Sequence, residues 1–191
     1  MRRVGVILAG GQSRRMGGSD KACLELGGKR LIDHVMARLT PQVDAMLIAG
    51  PDDYGSGLPT VADPTDGPVG PAAGLLAAGR HITAGSRPTA IMITVPVDCP
   101  FLPTYLADHL CDGDLPAVAN AAGRLQPAFG AWEIRPLLDA MADEAIRQSP
   151  SLRAVARACL ARETDFGDGD AFFNINTPHD LEQARNRPRP S

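Results

Sequence analysis

The first loop of the chain combines glycines and cations in a pattern that suits phosphate binding. It follows an apolar run at residues 4–8, V-G-V-I-L, which is long enough for one buried strand. Because glycine lacks a Cβ atom, the main chain can approach a ligand closely and bind phosphate oxygens through its N–H groups. The glycines are Gly10, Gly11, Gly17 and Gly18, and the cations in or just after the loop are Arg14, Arg15 and Lys21. The stretch therefore predicts a binding site for a phosphate compound.

Two common phosphate-binding motifs do not fit this loop. A P-loop carries Lys and then Ser or Thr directly after its last glycine, whereas Ser19 and Asp20 follow Gly18 here. The dinucleotide motif G-x-G-x-x-G fails as well, because Gly10 and Gly11 are adjacent. The loop must bind its phosphates in another arrangement.

A second candidate for chemistry is Asp98, which follows the strongly apolar run of residues 90–95. A carboxylate at the end of a buried strand is costly unless it has a partner. A Mg²⁺ ion that bridges the carboxylate and a triphosphate would supply that partner. The alternative is a structural aspartate that caps the helix expected after Pro100.

Two later segments carry polar groups that could complete a site. Asp63 and Asp66 lie in a Gly/Pro-rich loop, where a carboxylate could accept hydrogen bonds from a nucleotide base, and their chemistry alone does not separate them. A turn-forming role before Pro or Gly is the alternative for both. Asn174 and Asn176 could bind a phosphate without adding charge, or could form the entry of the last helix.

The elements that must position these groups alternate in the order typical of an α/β sheet with parallel crossovers. Strands are predicted at residues 4–8, 43–49, 58–62 and 90–95, and helices at 31–39 and 72–84. In such sheets ligands bind beyond the carboxyl ends of the strands. The loops expected to converge there are residues 9–21, 49–57, 63–71 and 96–103. We predict a three-layer Rossmann-like fold, with a mostly parallel central sheet and helices on both faces.

The second half of the chain is less regular. Helices are predicted at residues 103–110, 136–148, 151–160 and 179–187. Strands are predicted at residues 115–122, 125–132, 164–166 and 171–174. Ser151 and Thr177 are expected to cap the helices that follow them.

Composition excludes several classes of function. The net charge of the 191 residues is −3 and no long basic run occurs, which argues against a nucleic-acid partner. The apolar run from Val4 is too short for a signal sequence or a membrane helix, so we expect no membrane association and a cytoplasmic location. The 4 cysteines form no C-x-x-C pair and no zinc spacing with histidine, which predicts reduced thiols.

The segment L-A-G-G-Q-S-R-R-M-G-G-S-D-K, residues 8–21, resembles the signature loop of the nucleotidyltransferases that build NDP-sugars and related conjugates. With Gly10, Gly11 and the pair Asp20-Lys21, it is most similar to the molybdenum cofactor guanylyltransferases. The resemblance covers nearly the whole chain and is most specific at residues 8–21, 63–74, 95–103 and 173–178. It implies transfer of GMP from GTP to molybdopterin, loaded with molybdenum, with release of pyrophosphate.

The resemblance also implies roles for individual residues. The implied catalytic residues are Arg15, Lys21 and Asp98. The implied GTP-binding residues are Leu8, Ala9, Gly10, Gly11, Arg14, Lys21, Asp63 and Asp98. Asp98 would bind Mg²⁺, and Asn174 and Asn176 would bind the pterin acceptor. A molybdenum-insertion protein and molybdoenzyme chaperones are implied as further partners.

These implications predict a single nucleotidyltransferase domain at residues 1–187. Its nucleotide-binding half would cover about residues 1–100 and its acceptor-binding half about 101–187, followed by a disordered tail at 188–191. Two positions depart from the family pattern. Ala49 or Gly50 stands where relatives have an Asn after the second strand, and Gln126 stands where they often have His before Pro.

The sequence is also compatible with two other functions. A cytidylyltransferase of the same fold is the first, although such relatives usually carry Ala in place of Gly10. A non-catalytic nucleotide-binding regulatory module is the second. The presence of both Lys21 and Asp98 argues against this second reading.

Overall fold

The computed structural model describes residues 1–10, 20–64, 70–85, 90–148 and 150–187. Its strands are β1 (Arg3–Leu8), β2 (Glu25–Leu26), β3 (Lys29–Arg30), β4 (Ala45–Ala49), β5 (Thr60–Val61), β6 (Ile91–Pro96), β7 (Ala117–Ala121), β8 (Arg124–Glu133) and β9 (Arg162–Asp165). Its helices are α1 (Leu31–Leu39), α2 (Pro71–Ala84), α3 (Leu106–Cys111), α4 (Ile134–Met141), α5 (Glu144–Gln148), α6 (Leu152–Ala158) and α7 (Pro178–Arg185). Short 3₁₀ turns cover Lys21–Cys23, Thr40–Gln42 and Asp170–Phe172.

Several predictions concern residues outside the described ranges. They are those for Gly11, Arg14, Arg15, Asp66 and the tail at 188–191.

In the described ranges, seven strands form one sheet in the order β5-β4-β1-β6-β8-β7-β9, and β2 and β3 form a separate hairpin. Strand β1 pairs in parallel with both β4 and β6, and β4 pairs in parallel with β5. Strand β8 runs antiparallel to β6 and β7, and β9 is parallel to β7. The predicted mostly parallel α/β sheet is confirmed.

Helices cover both faces of the sheet. Buried apolar residues of α1 and α3 form one cluster with the sheet, and those of α2, α4 and α6 form another on the opposite face. Strand β6 contributes to both clusters because its residues alternate between the two faces: Met92 belongs to one cluster, and Ile93 and Val95 to the other. The predicted helices on both faces are confirmed.

Two of the predicted elements differ in the structure because side chains form local hydrogen bonds to the backbone. The predicted strand at 171–174 is wrong, because a 3₁₀ turn forms at Asp170–Phe172, where Asp168 Oδ1 accepts the Asp170 N–H at 3.1 Å. The predicted helix at 136–148 divides into α4 and α5, because Asp143 Oδ1 accepts the Ala145 N–H at 2.8 Å and starts a new helix.

Helix α4 also begins earlier than predicted, at Ile134. Pro136 then lies within its first turn, where the missing N–H costs no intrahelical hydrogen bond. None of the helices in the described part of the chain has the length and apolar character of a membrane span.

The packing of Trp132 against Gly130 in β8 yields a stability prediction. Trp132 is fully buried, its Nε1 donates to Thr94 Oγ1 at 3.0 Å, and a Cβ atom on Gly130 would lie 2.5 Å from the indole ring. We expect Gly130→Ala to lower the free energy of unfolding by about 1–3 kcal/mol, because the buried ring cannot move aside freely. Urea denaturation measures this loss.

Gly169→Ala is the matched control. A Cβ atom there would meet its nearest neighbour, Ala122 Cβ, at an ordinary 3.6 Å, and φ is −89°. Equal unfolding free energies for the two variants would contradict the packing described for Trp132.

Candidate active site

A cavity of about 400 Å³ opens beyond the carboxyl ends of β1 and β6. Its walls come from both halves of the chain. The lining residues are Leu8, Ala9, Gly10, Lys21, Pro71, Pro96, Val97, Asp98, Gln126, Pro127, Ala128, Phe129, Leu152, Asn174 and Asn176. Three of the four loops predicted to converge therefore do so, whereas residues 49–57, all of them described, contribute none of this lining.

Lys21 reaches the cavity from the 3₁₀ turn at Lys21–Cys23. Asp20 caps this turn, because its Oδ1 accepts the Ala22 N–H at 3.0 Å. The other oxygen of Asp20 accepts the hydroxyl of Tyr54 at 2.8 Å. Burial and the hydrogen bond to Asp20 raise the pKa of Tyr54 well above its usual value, so the hydroxyl keeps the proton that it donates.

The Lys21 ammonium group connects two distant parts of the chain. Its Nζ donates to Asp98 Oδ2 at 2.9 Å and to Asn176 Oδ1 at 2.5 Å. The side chains of Lys21 and Asp98 are only 22% and 18% exposed, so each charge is shielded from water and has a partner. One cation, one carboxylate and one amide thus meet at a single point in the cavity wall.

Asp98 is held by its backbone as well as by this ion pair. Its carbonyl accepts the N–H of the fully buried Ile175 at 2.9 Å, which fixes the segment carrying the two asparagines beside the end of β6. The helix that follows, α3, begins at Leu106 with Tyr105 at its N-cap position. Asp98 is therefore not the cap of that helix.

Asn174 contacts the residue next to Asp98. The thiol of Cys99, which has no exposed surface, donates to Asn174 Oδ1. Burial, followed by the charge of Asp98, raises the pKa of this thiol well above its usual value. Cys99 is consequently a neutral hydrogen-bond donor and not a nucleophile.

Asp63 lies beside the cavity and not in its wall. A Cβ atom placed on Gly10 would lie 3.6 and 3.7 Å from the two carboxylate oxygens of Asp63. The residue is exposed, but partial desolvation of the carboxylate raises its pKa. Of the predicted nucleotide-contacting residues that are described, Asp63 is the one absent from the cavity lining.

The position of the missing family asparagine is filled by the backbone and by Ala9. The carbonyl of Ala49 accepts the Ala9 N–H at 2.8 Å, and the Gly50 N–H donates to Val61 at 2.9 Å. A Cβ atom on Gly50 would lie 3.1 Å from the Cβ of Ala9, so a larger side chain there has little room in this conformation.

The structure thus brings together Leu8, Ala9, Gly10, Lys21, Asp98, Asn174 and Asn176 in one cavity. Sequence reasoning missed the positioning pair Asp20 and Tyr54 and the contact between Cys99 and Asn174. The N-cap preference of Asp was an available signal for Asp20, because it directly precedes the turn. Tyr54 lies 34 positions from Asp20, and no local pattern links the two residues.

The residues present fit Mg²⁺ shared with a substrate, but not a site made by protein alone. Within the described ranges, no three His, Cys, Asp or Glu side chains are grouped as metal ligands. Mg²⁺ is commonly held by one or two carboxylates together with substrate phosphates. Asp98 suits that mode, because it lines the cavity and its carboxylate is still 18% exposed, so a substrate phosphate and an ion could reach it.

Comparison with known proteins identifies the family. Residues 5–162 match the MobA-like NTP transferase domain family. The chain belongs to this family. Two curated molybdenum cofactor guanylyltransferases are close to it in sequence. The one from Cereibacter sphaeroides is 42% identical over 190 residues, covering 96% of each chain. The one from Rhodopseudomonas palustris is 39% identical over 193 residues, covering 94% of this chain and 90% of the relative.

The fold of the MobA-like NTP transferases is also found in solved structures. Molybdopterin-guanine dinucleotide biosynthesis protein A from Archaeoglobus fulgidus has a TM-score of 0.71 at 22% identity, covering 96% of this chain and 97% of that one. A nucleotidyl transferase from Methanothermobacter thermautotroptrophicus has a TM-score of 0.73 at 18% identity, covering 97% and 96%. The predicted resemblance to the molybdenum cofactor guanylyltransferases is confirmed, and the chain is a nucleotidyltransferase enzyme.

The bond between Tyr54 and Asp20 predicts a role in holding the turn that carries Lys21. We expect Tyr54→Phe to lower the free energy of unfolding by about 1 kcal/mol, because one hydrogen bond to a carboxylate is lost. Urea denaturation measures the change. Tyr105→Phe is the control, since Tyr105 is 54% exposed and stacks on Phe166 through its ring. Equal losses in both variants would contradict the assignment.

Proposed function

We propose that this nucleotidyltransferase transfers GMP from GTP to molybdopterin, loaded with molybdenum, and releases pyrophosphate. The main observation in support concerns one cavity at the ends of the parallel strands. Four candidate residues converge there: Lys21, Asp98, Asn174 and Asn176. The site therefore offers a cation, a carboxylate and two amides to ligands that bear phosphates. The names of the relatives, which share about 40% identity, supply the two substrates.

The proposed reaction is a single in-line displacement. A terminal phosphate oxygen of the pterin attacks the α-phosphorus of GTP, a new P–O bond forms, and the bond between the α-phosphorus and the bridging oxygen breaks. Negative charge increases on the leaving pyrophosphate, and the Lys21 ammonium group stabilises it. No covalent enzyme intermediate is needed, in agreement with the complete burial of the Cys99 thiol.

Asp98 is proposed to hold Mg²⁺ together with the phosphates of the substrate. When bound, the ion would neutralise phosphoryl charge and orient the triphosphate. Arg14 and Arg15 are proposed to add phosphate contacts from the glycine loop. Gly11 is proposed to contribute backbone donors there.

The acceptor is proposed to occupy the wall formed by the second half of the chain. Asn174 and Asn176 supply polar groups to that wall, and Pro127 and Phe129 supply apolar surface suited to a flat heterocycle. Gln126 lines the same wall and offers an amide where relatives often have His. Because an amide does not titrate, no acid–base role is assigned to Gln126.

Base choice is proposed to involve Asp63 and Gly10. Guanine presents N1–H and N2–H₂ as donors, which a carboxylate can accept, and O6 as an acceptor for backbone N–H groups near Ala9. Asp63 lies next to Gly10, so the edge of a guanine placed on the backbone of Gly10 would lie close to its carboxylate.

We also propose a cytoplasmic location, where GTP is available. Handover of the product would involve a molybdenum-insertion protein and molybdoenzyme chaperones.

Replacement of Lys21 tests the proposed function. Wild-type protein should release pyrophosphate from GTP only when both Mg²⁺ and molybdopterin are present. We expect Lys21→Ala to lower kcat/KM by roughly 30- to 1,000-fold, or about 2–4 kcal/mol, because a donor to the transition state is lost. Lys29→Ala is the matched control, since Lys29 is exposed on β3 and does not line this cavity.

Three results would contradict the proposal. Near-normal turnover by Lys21→Ala would show that Lys21 has no catalytic role. Preference of the wild-type protein for CTP would indicate a cytidylyltransferase. Nucleotide binding without pyrophosphate release would indicate a regulatory module.

Replacement of Gly10 tests the proposed base contact. Its φ lies outside the left-handed region, so alanine fits the backbone, but the added Cβ would point at the Asp63 carboxylate. We expect Gly10→Ala to lower kcat/KM for GTP by roughly tenfold and that for CTP much less, because one methyl group narrows the space for a purine. Steady-state kinetics with both nucleotides measure the ratio. An unchanged ratio would refute this use of Gly10, and Gly169→Ala serves as the control.

A further inference from the structure

We propose that Cys99 is a positioning residue that fixes the side-chain amide of Asn174, so that its NH₂ group faces the acceptor. The inference rests on the proposed function, because it assigns a recognition role to the acceptor side of the same cavity. The thiol of Cys99 takes no part in bond formation.

The surroundings of Cys99 decide the direction of its hydrogen bond. Its sulfur lies 3.7 Å from Asp98 Oδ1 and 4.0 Å from the Phe172 carbonyl, and it approaches Asn174 Oδ1 most closely. The Asp98 and Phe172 oxygens can only accept, so the thiol hydrogen is directed into a set of acceptors, and the nearby Asn174 amide joins that set through its oxygen. The oxygen of the Asn174 amide is thereby held toward the protein interior.

The side-chain amide of Asn176 is also fixed by a protein donor to its oxygen. Its Oδ1 accepts the Lys21 ammonium group, and Ile175 between the two asparagines is fully buried. Side chains two positions apart in an extended segment point to the same side, and both asparagines line the cavity. Both oxygens are engaged by protein donors, and among the described residues no acceptor is hydrogen-bonded to either NH₂ group, so both can face a ligand.

Two amide donors side by side recognise ligand atoms that accept hydrogen bonds. Phosphate oxygens and the carbonyl or ring nitrogens of a pterin are such atoms. The oxygen and nitrogen ends of an asparagine amide have almost the same shape, so a free amide can turn over and present its oxygen instead. An oxygen in that position would repel a phosphate. The thiol of Cys99 therefore selects the orientation that binds the acceptor.

Replacement of Cys99 tests this role in the active enzyme. We expect Cys99→Ala to raise the KM for molybdopterin roughly tenfold, while the KM for GTP and kcat change less than twofold. Cys99→Ser keeps a donor and should restore the KM for molybdopterin to within about threefold of wild type. Cys159→Ala is the matched control, because Cys159 is partly buried at the end of α6 and outside the cavity lining.

A ligand-free measurement separates this inference from the proposed function. In ¹H–¹⁵N spectra, the Asn174 side-chain signals are identified by their loss in Asn174→Asp. Cys99→Ala should shift or broaden them strongly and leave those of Asn176 in place, whereas Cys99→Ser should not. If wild-type protein transfers no GMP, the proposed function fails, and these spectra still decide whether Cys99 positions Asn174.

Three outcomes would overturn the inference. The first is an unchanged Asn174 amide signal in Cys99→Ala. The second is an acceptor KM that does not change in that variant, or that changes together with the KM for GTP. The third is an equal loss in Cys99→Ser, which would indicate that the size of the side chain matters and its donor does not.

Discussion

The site depends on one interaction, the bridge that the Lys21 ammonium group makes to Asp98 and Asn176. A charge that is four-fifths removed from water is unfavourable unless a partner lies close by. The three residues come from the end of the first loop, the end of β6 and the segment before α7. Because these groups are stabilised by contact with one another, the three distant segments meet at one point. The cavity lies around that point.

The same bridge means that ligand binding exchanges partners within a neutralised site. In the proposed reaction, substrate phosphates replace the Asp98 carboxylate as the main counter-charge of Lys21. The Asp98 carboxylate would then be available to help hold Mg²⁺, which would supply a compensating positive charge. Such an exchange would keep the charges of Lys21 and Asp98 compensated, which would limit the cost of binding highly charged substrates.

Much of the fold could be predicted because local signals agreed with tertiary packing. The helix predicted at 31–39 matches α1, and Thr177 caps α7 as expected, with its side chain accepting the Asp180 N–H. The rule that ligands bind beyond the carboxyl ends of parallel strands then correctly predicted that the loops after β1 and β6 lie together. The errors arose where short-range polar contacts competed with an apolar pattern, as at Asp143.

The site could be predicted only in part, for a physical reason. Lys21, Asp98 and the two asparagines carry chemistry that is visible in their residue types. The residues that position them, Tyr54 and Cys99, are not visible in this way. They resemble ordinary core residues until their long-range partners are known. Such partners depend on the three-dimensional path of the chain and leave no periodic trace in the sequence.

Strand β6 is the boundary at which the parallel pairing with β1 gives way to antiparallel pairing with β8. Residues of the β1 loop line the cavity on one side of this strand, and residues 126–129 of β8 line it on the other. In the proposed reaction, substitutions on the β8 side would change the wall that meets the acceptor and leave the β1 side in place. The layout would let the wall proposed for the acceptor vary while the wall proposed for the nucleotide keeps its residues.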